Sequence, residues 1–200
     1  MTKLKLYDFP LSGNCYKIRL LLSLLDVDYE SIAVDLAAGE TQTEAFKKLN
    51  PRGLVPVLAD GDTVIWDSMA ILSYLARQYG DESWFPQDPL AQARVMQWLA
   101  LSENELLYGL ARARAIFLFK RPFDLEQCQA DAHIGLATME QHLATQTWLV
   151  AEAITIADIA CYPYVSVAHE GEVSLETYPN VRRWMEQLEV LPRYKAMLDF

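Results

Sequence analysis

The amino-acid sequence predicts an α/β domain followed by an all-α, helical-bundle domain. Up to residue 80, short β-type runs alternate with helical segments in the order β-α-β-α-β-β-α. From residue 90 onward, nearly every segment has helical periodicity. Residues 81–89 are rich in turn-forming residues, which is typical of a linker. We therefore expect domains at residues 1–80 and 90–200, joined by residues 81–89.

The elements of the first domain follow from local patterns. Alternating apolar residues predict strands, and apolar residues at helical spacing predict helices. We expect strands at residues 3–7, 29–36, 54–59 and 63–66, and helices at residues 15–25, 43–49 and 69–79. Asp60 and Gly61 form a turn signal between the last two strands. Cys15 lies on the apolar stripe of the first helix, so burial is a better expectation for it than reactivity.

The second domain is predicted to be helical almost throughout. We expect its helices at residues 90–119, 125–145, 156–169 and 181–190. Thr155 and Asp158 have the spacing of a reciprocal capping box at the start of the third of these helices. We expect this pair to serve folding rather than catalysis, and we expect Trp98 to pack in the core.

The composition restricts the classes of partner. Lys and Arg number 17 against 27 Asp and Glu, a net charge of −10, which disfavours nucleic acid and anionic membrane surfaces. No apolar run approaches the roughly 20 residues of a membrane helix. Three cysteines are too few for a disulfide framework, and the three histidines lack zinc-ligand spacing. We expect a soluble, reduced, cytoplasmic protein without a metal ion.

The loop between the first strand and the first helix is a candidate site. It contains Ser12 and Asn14. A hydroxyl group at the N-terminus of a helix lies near the positive end of the helix dipole, where it can stabilise an anion such as a thiolate. Either side chain could instead cap the helix. The local sequence leaves both roles open.

Two further features of the first domain have similar alternatives. Pro56 lies within an apolar strand run, where a proline lies either at an edge or after a cis bond that frees the neighbouring backbone for a ligand. Asp67 and Ser68 precede the last helix of the domain. They either cap that helix or bind a carboxylate at its N-terminus.

Taken together, these motifs resemble the cytosolic glutathione transferases. The matching phrases are NPRGLVPVL at residues 50–58, DSMAI at residues 67–71 and TIADIA at residues 155–160, after the Ser12 loop. The resemblance covers essentially the whole chain. It implies a thioredoxin-like first domain, a cis bond between Val55 and Pro56, and glutathione as co-substrate.

The resemblance also implies roles for residues of the first domain. Ser12 matches the catalytic serine that donates to the glutathione sulfur, with Asn14 as its rival. The implied glutathione-binding residues are Arg52, Val55, Pro56, Asp67 and Ser68. Arg52 would replace the basic residue that often holds the glycyl carboxylate in the family, because Thr41 and Gln42 are neutral here.

The electrophile would lie mainly against the second domain. The expected electrophile-site residues are Leu11 of the first domain and Leu101, Glu105, Tyr108 and Arg112 of the second. Arg112 or Arg114 would favour an anionic co-substrate or the glycyl carboxylate. The alternative is an ion pair on a solvated helix face, for example with Glu105.

The expected function is conjugation of glutathione to electrophiles in detoxification, or glutathione-dependent peroxide reduction. The resemblance further implies a cytoplasmic homodimer that binds glutathione and a small electrophile. Two alternatives remain open. One is a non-catalytic interaction module, and the other is a glutathione-dependent oxidoreductase or isomerase on the same fold.

Overall fold

The computed structural model describes residues 4–150 and 152–200. These residues form two compact units. One unit holds the described residues up to Asp81 together with Pro192–Phe200, and the other holds Glu82–Leu191. Pro192–Phe200 therefore groups with the first unit and not, as the sequence predicts, with the helical domain.

The first unit is an α/β structure built on a four-stranded sheet. Its elements are β1 (Leu4–Asp8), α1 (Gly13–Leu24), β2 (Tyr29–Ala33), α2 (Glu44–Leu49), β3 (Val57–Asp60), β4 (Thr63–Trp66) and α3 (Ser68–Gln78). The strand order is β2-β1-β3-β4. β1 and β2 are parallel, and the other two pairs are antiparallel. The predicted thioredoxin-like element order is confirmed.

Two predicted strands are shorter in the structure. β2 ends at Ala33 instead of residue 36, and β3 begins at Val57 instead of residue 54. The late start of β3 has a local reason, because Pro56 has no N–H to donate to a neighbouring strand. The Val55–Pro56 bond is cis, as the resemblance implied.

The core of the first unit lies on both faces of the sheet. Side chains alternate along β1, and its residue Leu6 is completely buried. α1 packs against α3. Tyr7 packs against the cluster formed by Val34, Phe46 and Val57 beside α2. Cys15 is completely buried in α1, which confirms the expectation that it is a core residue.

The second unit is a helical bundle. Its elements are α4 (Pro89–Leu101), a π-helical segment (Ser102–Ala111), α5 (Arg112–Phe119), α6 (Leu125–Leu143), α7 (Ile156–Ser166) and α8 (Pro179–Glu189). The single helix expected at residues 90–119 is therefore interrupted by ten π-helical residues. Within the described part of the chain, no helix is long and apolar enough to span a membrane.

The π-helical segment lies very close to α6. A Cβ atom at Gly109 would lie 2.3 Å from the backbone nitrogen of Ala132, which is far inside van der Waals contact. Glycine is therefore required where the two helices cross. Stretches of π-helix are uncommon and often lie at functional sites.

Candidate functional site

The first component of the candidate site is the β1–α1 loop. Ser12 is the N-cap of α1, and its Oγ accepts a hydrogen bond from the backbone N–H of Cys15 at 3.2 Å. The Ser12 N–H donates to the carbonyl of Phe9 at 2.9 Å. Since capping uses a lone pair of the hydroxyl oxygen, the hydroxyl proton remains available for donation. Capping and anion stabilisation, which the sequence presented as alternatives, are therefore compatible.

Asn14 is the second residue of α1 and follows Ser12 by two residues. Among the described residues, its Oδ1 atom is buried without a hydrogen-bond partner. An amide oxygen accepts hydrogen bonds and cannot stabilise an anion, whereas the Nδ2 group could. Ser12 is the simpler donor because its hydroxyl lies at the helix terminus itself.

Cys15 cannot act as a nucleophile at neutral pH. Burial, and secondly the negative charge of Asp8, raise the pKa of its thiol to about 12. The thiol therefore stays protonated and packs as a small apolar group.

The second component is the loop between α2 and β3. The Asn50 side chain fixes its shape by accepting from the Arg52 N–H at 2.9 Å and donating to the Leu54 carbonyl at 2.7 Å. Gly53 has a φ of +61° in this turn. Within residues 4–150 and 152–200, no hydrogen bond uses the N–H or the carbonyl of Val55. The Val55 backbone can therefore pair with a ligand.

The third component is the N-terminus of α3. Asp67 has φ 79° and ψ 127°, and its Oδ1 accepts from the Met69 N–H at 3.0 Å. Its Oδ2 accepts from Arg52 Nη1 at 3.0 Å. Ser68, the first helical residue, is buried with 3% exposed. A cation, a carboxylate and a helix N-terminus suit a group that carries both an amine and a carboxylate.

Strand register brings these three components to the same end of the sheet. Tyr7 lies opposite Val57, and Val57 lies opposite Trp66. The Ser12 loop follows the first of these positions, the Val55–Pro56 bond precedes the second, and Asp67 follows the third. The predicted residues of the first domain therefore lie along one edge, as a shared ligand requires.

Comparisons with known proteins identify the family of this chain. The glutathione S-transferase N-terminal domain matches residues 2–77, and the glutathione S-transferase C-terminal domain matches residues 118–192. The chain is 34% identical over 196 residues to "Glutathione S-transferase 1" of Manduca sexta, an alignment that covers 95% of this chain and 89% of the relative. The chain belongs to the glutathione S-transferase family.

Two bacterial members of the family are also similar. A crystal structure of a glutathione S-transferase from Pseudomonas fluorescens has a TM-score of 0.93 and 39% identity, covering 99% of this chain and 100% of that one. Maleylacetoacetate isomerase of Pseudomonas aeruginosa is 31% identical over 200 residues, covering 96% of this chain and 94% of the relative. The thioredoxin-like fold followed by a helical domain is thus the family's architecture.

The candidate electrophile residues of the helical unit lie along α4, the π-helical segment and α5. The Arg112 guanidinium carbon is 4.1 Å from the ring centre of Tyr108 and 5.0 Å from that of Phe123. All three residues are exposed. Among the described residues, no carboxylate oxygen lies within 4.0 Å of the Arg112 side chain. Stacking on rings leaves the guanidinium edge free to bind an anion.

Arg114 does not share this role. It is buried, and its Nε lies 2.5 Å from Glu170 Oε2. The alternative that Arg114 binds an anionic substrate is therefore wrong, because the guanidinium is already paired inside the unit. Its partner also differs from the expected Glu105, because Glu170 follows 56 residues later in the sequence.

Leu101 belongs to a cavity of the helical unit, and Leu11 belongs to the first unit. Leu101 lines a cavity of about 570 Å³ between α4 and α6, beside Trp98 and His142. Glu105, Tyr108 and Arg112 do not line this cavity. Leu11 is half-buried beside Ser12 in the β1–α1 loop. Within the described residues, no cluster of His, Cys, Asp and Glu could hold a metal ion.

Proposed function

We propose that this protein is a glutathione transferase in which Ser12 stabilises the thiolate of bound glutathione for attack on an electrophile. The observation that carries the proposal is the geometry of Ser12. Its oxygen caps α1 by accepting from Cys15, so its proton is free to donate at the positive end of the helix dipole. A donor placed where negative charge develops favours the thiolate over the thiol.

The reaction proceeds by nucleophilic displacement. The glutathione thiol loses its proton to solvent, and the hydrogen bond from Ser12 stabilises the resulting thiolate. A lone pair of the thiolate sulfur then attacks the electrophilic carbon. A carbon–sulfur bond forms, and a leaving group such as chloride departs with its bonding electrons. Ser12 donates a hydrogen bond and keeps its own proton throughout.

The remaining residues of the edge would bind glutathione. The Val55 backbone would pair with the cysteinyl unit beside Pro56. Asp67 would hold the γ-glutamyl amine, and Ser68 would hold the carboxylate at the start of α3. The Arg52 guanidinium is paired with Asp67, which favours a role at the γ-glutamyl end over the glycyl end proposed from the sequence.

The charge of the Arg112 cluster points to an anionic electrophile. The free edge of this guanidinium could hold a substrate carboxylate while Tyr108 and Phe123 support its planar body. We propose that Glu105, Leu101 and Leu11 contribute further contacts. A domain boundary at residues 81–89, a homodimeric state and a cytoplasmic role in detoxification complete the proposal.

The test is binding to immobilised glutathione followed by conjugation of a chlorodinitrobenzene. Ser12→Ala should lower kcat about 10²-fold, because a donor to the developing anion is lost. Ser73→Ala, which alters a serine in α3 bonded only within that helix, is the matched control and should keep wild-type activity. Failure of the wild type to bind glutathione would overturn the proposal. If Asn14→Ala abolishes the rate while Ser12→Ala does not, the donor is Asn14.

A second candidate function is glutathione-dependent isomerisation. The relative named maleylacetoacetate isomerase and the unpaired Arg112 guanidinium both favour an unsaturated carboxylate as substrate. In that reaction the thiolate adds to a double bond and leaves again after rotation, so no glutathione is consumed. Measuring glutathione consumption with maleylacetoacetate and with a peroxide separates isomerase, conjugating and peroxidase activities.

A further inference from the structure

Arg19 carries an almost completely buried guanidinium group in the middle of α1, with only 1% of the residue exposed. A buried charge is unfavourable unless polar partners surround it. The Arg19 Nη1 atom lies 2.6 Å from Asp8 Oδ1. Its Nη2 group donates to the carbonyls of Pro10 at 2.9 Å and Met197 at 3.1 Å. One side chain thus joins three segments of the first unit.

The first two of these segments lead directly into the site. Asp8 ends β1, and Pro10 precedes Ser12 by two residues. The turn from Phe9 to Ser12 is closed by a backbone hydrogen bond of 2.9 Å. Arg19 therefore holds the loop at two points upstream of the Ser12 hydroxyl.

Stability alone does not explain this arrangement. Buried ion pairs can often be replaced by apolar side chains with no loss of stability. Among the described residues, the Arg19 Nε–H has no hydrogen-bond partner, so the site leaves one buried donor unsatisfied. The charge of Arg19 is matched by that of Asp8, so its effect on the loop is geometric more than electrostatic.

We propose that Arg19 is a positioning residue for the reaction. It holds the β1–α1 loop, and through Met197 the C-terminal segment, so that the Ser12 hydroxyl stays in place for the glutathione sulfur. The proposal rests on the proposed function of Ser12. Supporting residues must hold a reacting group to within about 0.5 Å, and a displacement of about 1 Å can lower a rate about 10²-fold.

Arg19→Lys tests the proposal because it keeps the charge beside Asp8 and loses the forked contact with Pro10 and Met197. The readout is the pKa of the bound glutathione thiol, followed by ultraviolet thiolate absorbance in the binary complex. We expect this pKa to rise by about one unit. At pH values below the pKa, kcat/KM should therefore fall about tenfold. Above the raised pKa the rate should recover, and the KM for glutathione should change little.

A double-mutant cycle with Ser12→Ala separates positioning from general destabilisation. In the Ser12→Ala background, where the hydroxyl is already missing, Arg19→Lys should raise the thiol pKa no further. Tyr16→Phe is the matched control on the same helix, since it removes the hydroxyl that donates a 2.8 Å hydrogen bond to the Lys195 carbonyl and keeps the ring. It should lower the melting temperature without changing the thiol pKa. If Arg19→Lys does not fold, Asp8→Asn weakens the same clamp and should give the same pKa signature.

The inference is overturned if Arg19→Lys lowers only the melting temperature, or if its effect on the thiol pKa adds fully to that of Ser12→Ala. A different result would overturn the proposed function itself: Ser12→Ala leaving the thiol pKa unchanged. The two failures are therefore distinguishable in one set of titrations.

Discussion

Two buried charged side chains, Asp158 in the helical unit and Arg19 in the first unit, illustrate different uses of burial. Asp158 accepts from the N–H groups of Leu149 and Thr155 and from Trp184 Nε1, all within 3.0 Å. Its partners lie in the fold's interior. Arg19 instead donates hydrogen bonds to a loop carbonyl, that of Pro10, and to a carbonyl of the C-terminal segment, that of Met197. Among the described residues, its Nε–H has no hydrogen-bond partner. The first network joins the start of α7 to Leu149 and Trp184. The second joins Asp8, Pro10 and Met197, and we propose that it positions the loop that carries Ser12.

Of the two buried side chains, Asp158 should have the larger effect on the free energy of unfolding. Asp158→Ala should lower the free energy of unfolding by about 3–5 kcal/mol, because it leaves buried donors on Leu149, Thr155 and Trp184 without an acceptor. Denaturant unfolding measures the loss. Thr155→Ala removes the capping hydroxyl and a buried methyl group but leaves the backbone donors to Asp158 in place, so it should lower the free energy of unfolding by about 1–2 kcal/mol. If Asp158→Ala loses no more than Thr155→Ala, the network does not hold the helical unit together.

A smaller loss is expected where α6 crosses the π-helical segment. Gly109→Ala should lower the free energy of unfolding by about 3 kcal/mol, since its methyl group would overlap the Ala132 backbone and the helices must separate. Gly39→Ala is the control: its Cβ would meet nothing within 4 Å, and only its φ of +72° is unfavourable, at about 1 kcal/mol. Equal losses would show that the close crossing is not rigid.

The same two regions show what could be read from the sequence. The order of elements, the Thr155–Asp158 capping box and the burial of Cys15 were predictable because each depends on local spacing. The π-helical segment was missed, because its helical periodicity continues unbroken from α4. The contact of Arg19 with Met197 was also missed, since it joins residues 178 positions apart and a carbonyl group leaves no trace in the sequence.

The spatial arrangement of the candidate site residues also could not be predicted from the sequence. Motifs placed Ser12 and Asp67 correctly at the ends of regular elements, whereas Val55 was predicted inside a strand that begins only at Val57 in the structure. Strand register was needed to bring these positions to one edge. The pairing of Arg114 with Glu170 depends on the tertiary fold, so sequence spacing suggested the wrong acidic partner.

The contribution of the helical unit to the reaction should depend on the exposed Arg112 and not on the buried Asp158 network. Arg112→Gln should lower kcat/KM about tenfold, or about 1.4 kcal/mol, for 4-chloro-3,5-dinitrobenzoate. Its uncharged methyl ester should react at nearly the wild-type rate. Arg182→Gln, at an exposed arginine of α8, is the matched control. An equal loss for the acid and the ester would remove the role of charge.

The smallest effect on stability is expected at the exposed edge of the first unit. Arg52 and Asp67 form an ion pair with 54% and 27% of their side chains exposed, and pairs of this kind contribute about 0–1 kcal/mol. Arg52→Gln should therefore leave the unfolding midpoint almost unchanged while raising the KM for glutathione severalfold, because the cation paired with Asp67 is lost. Binding calorimetry and thermal unfolding of one sample measure both quantities. A large loss of stability with an unchanged KM would place Arg52 with Asp158, as a residue whose partner serves the fold and not the ligand.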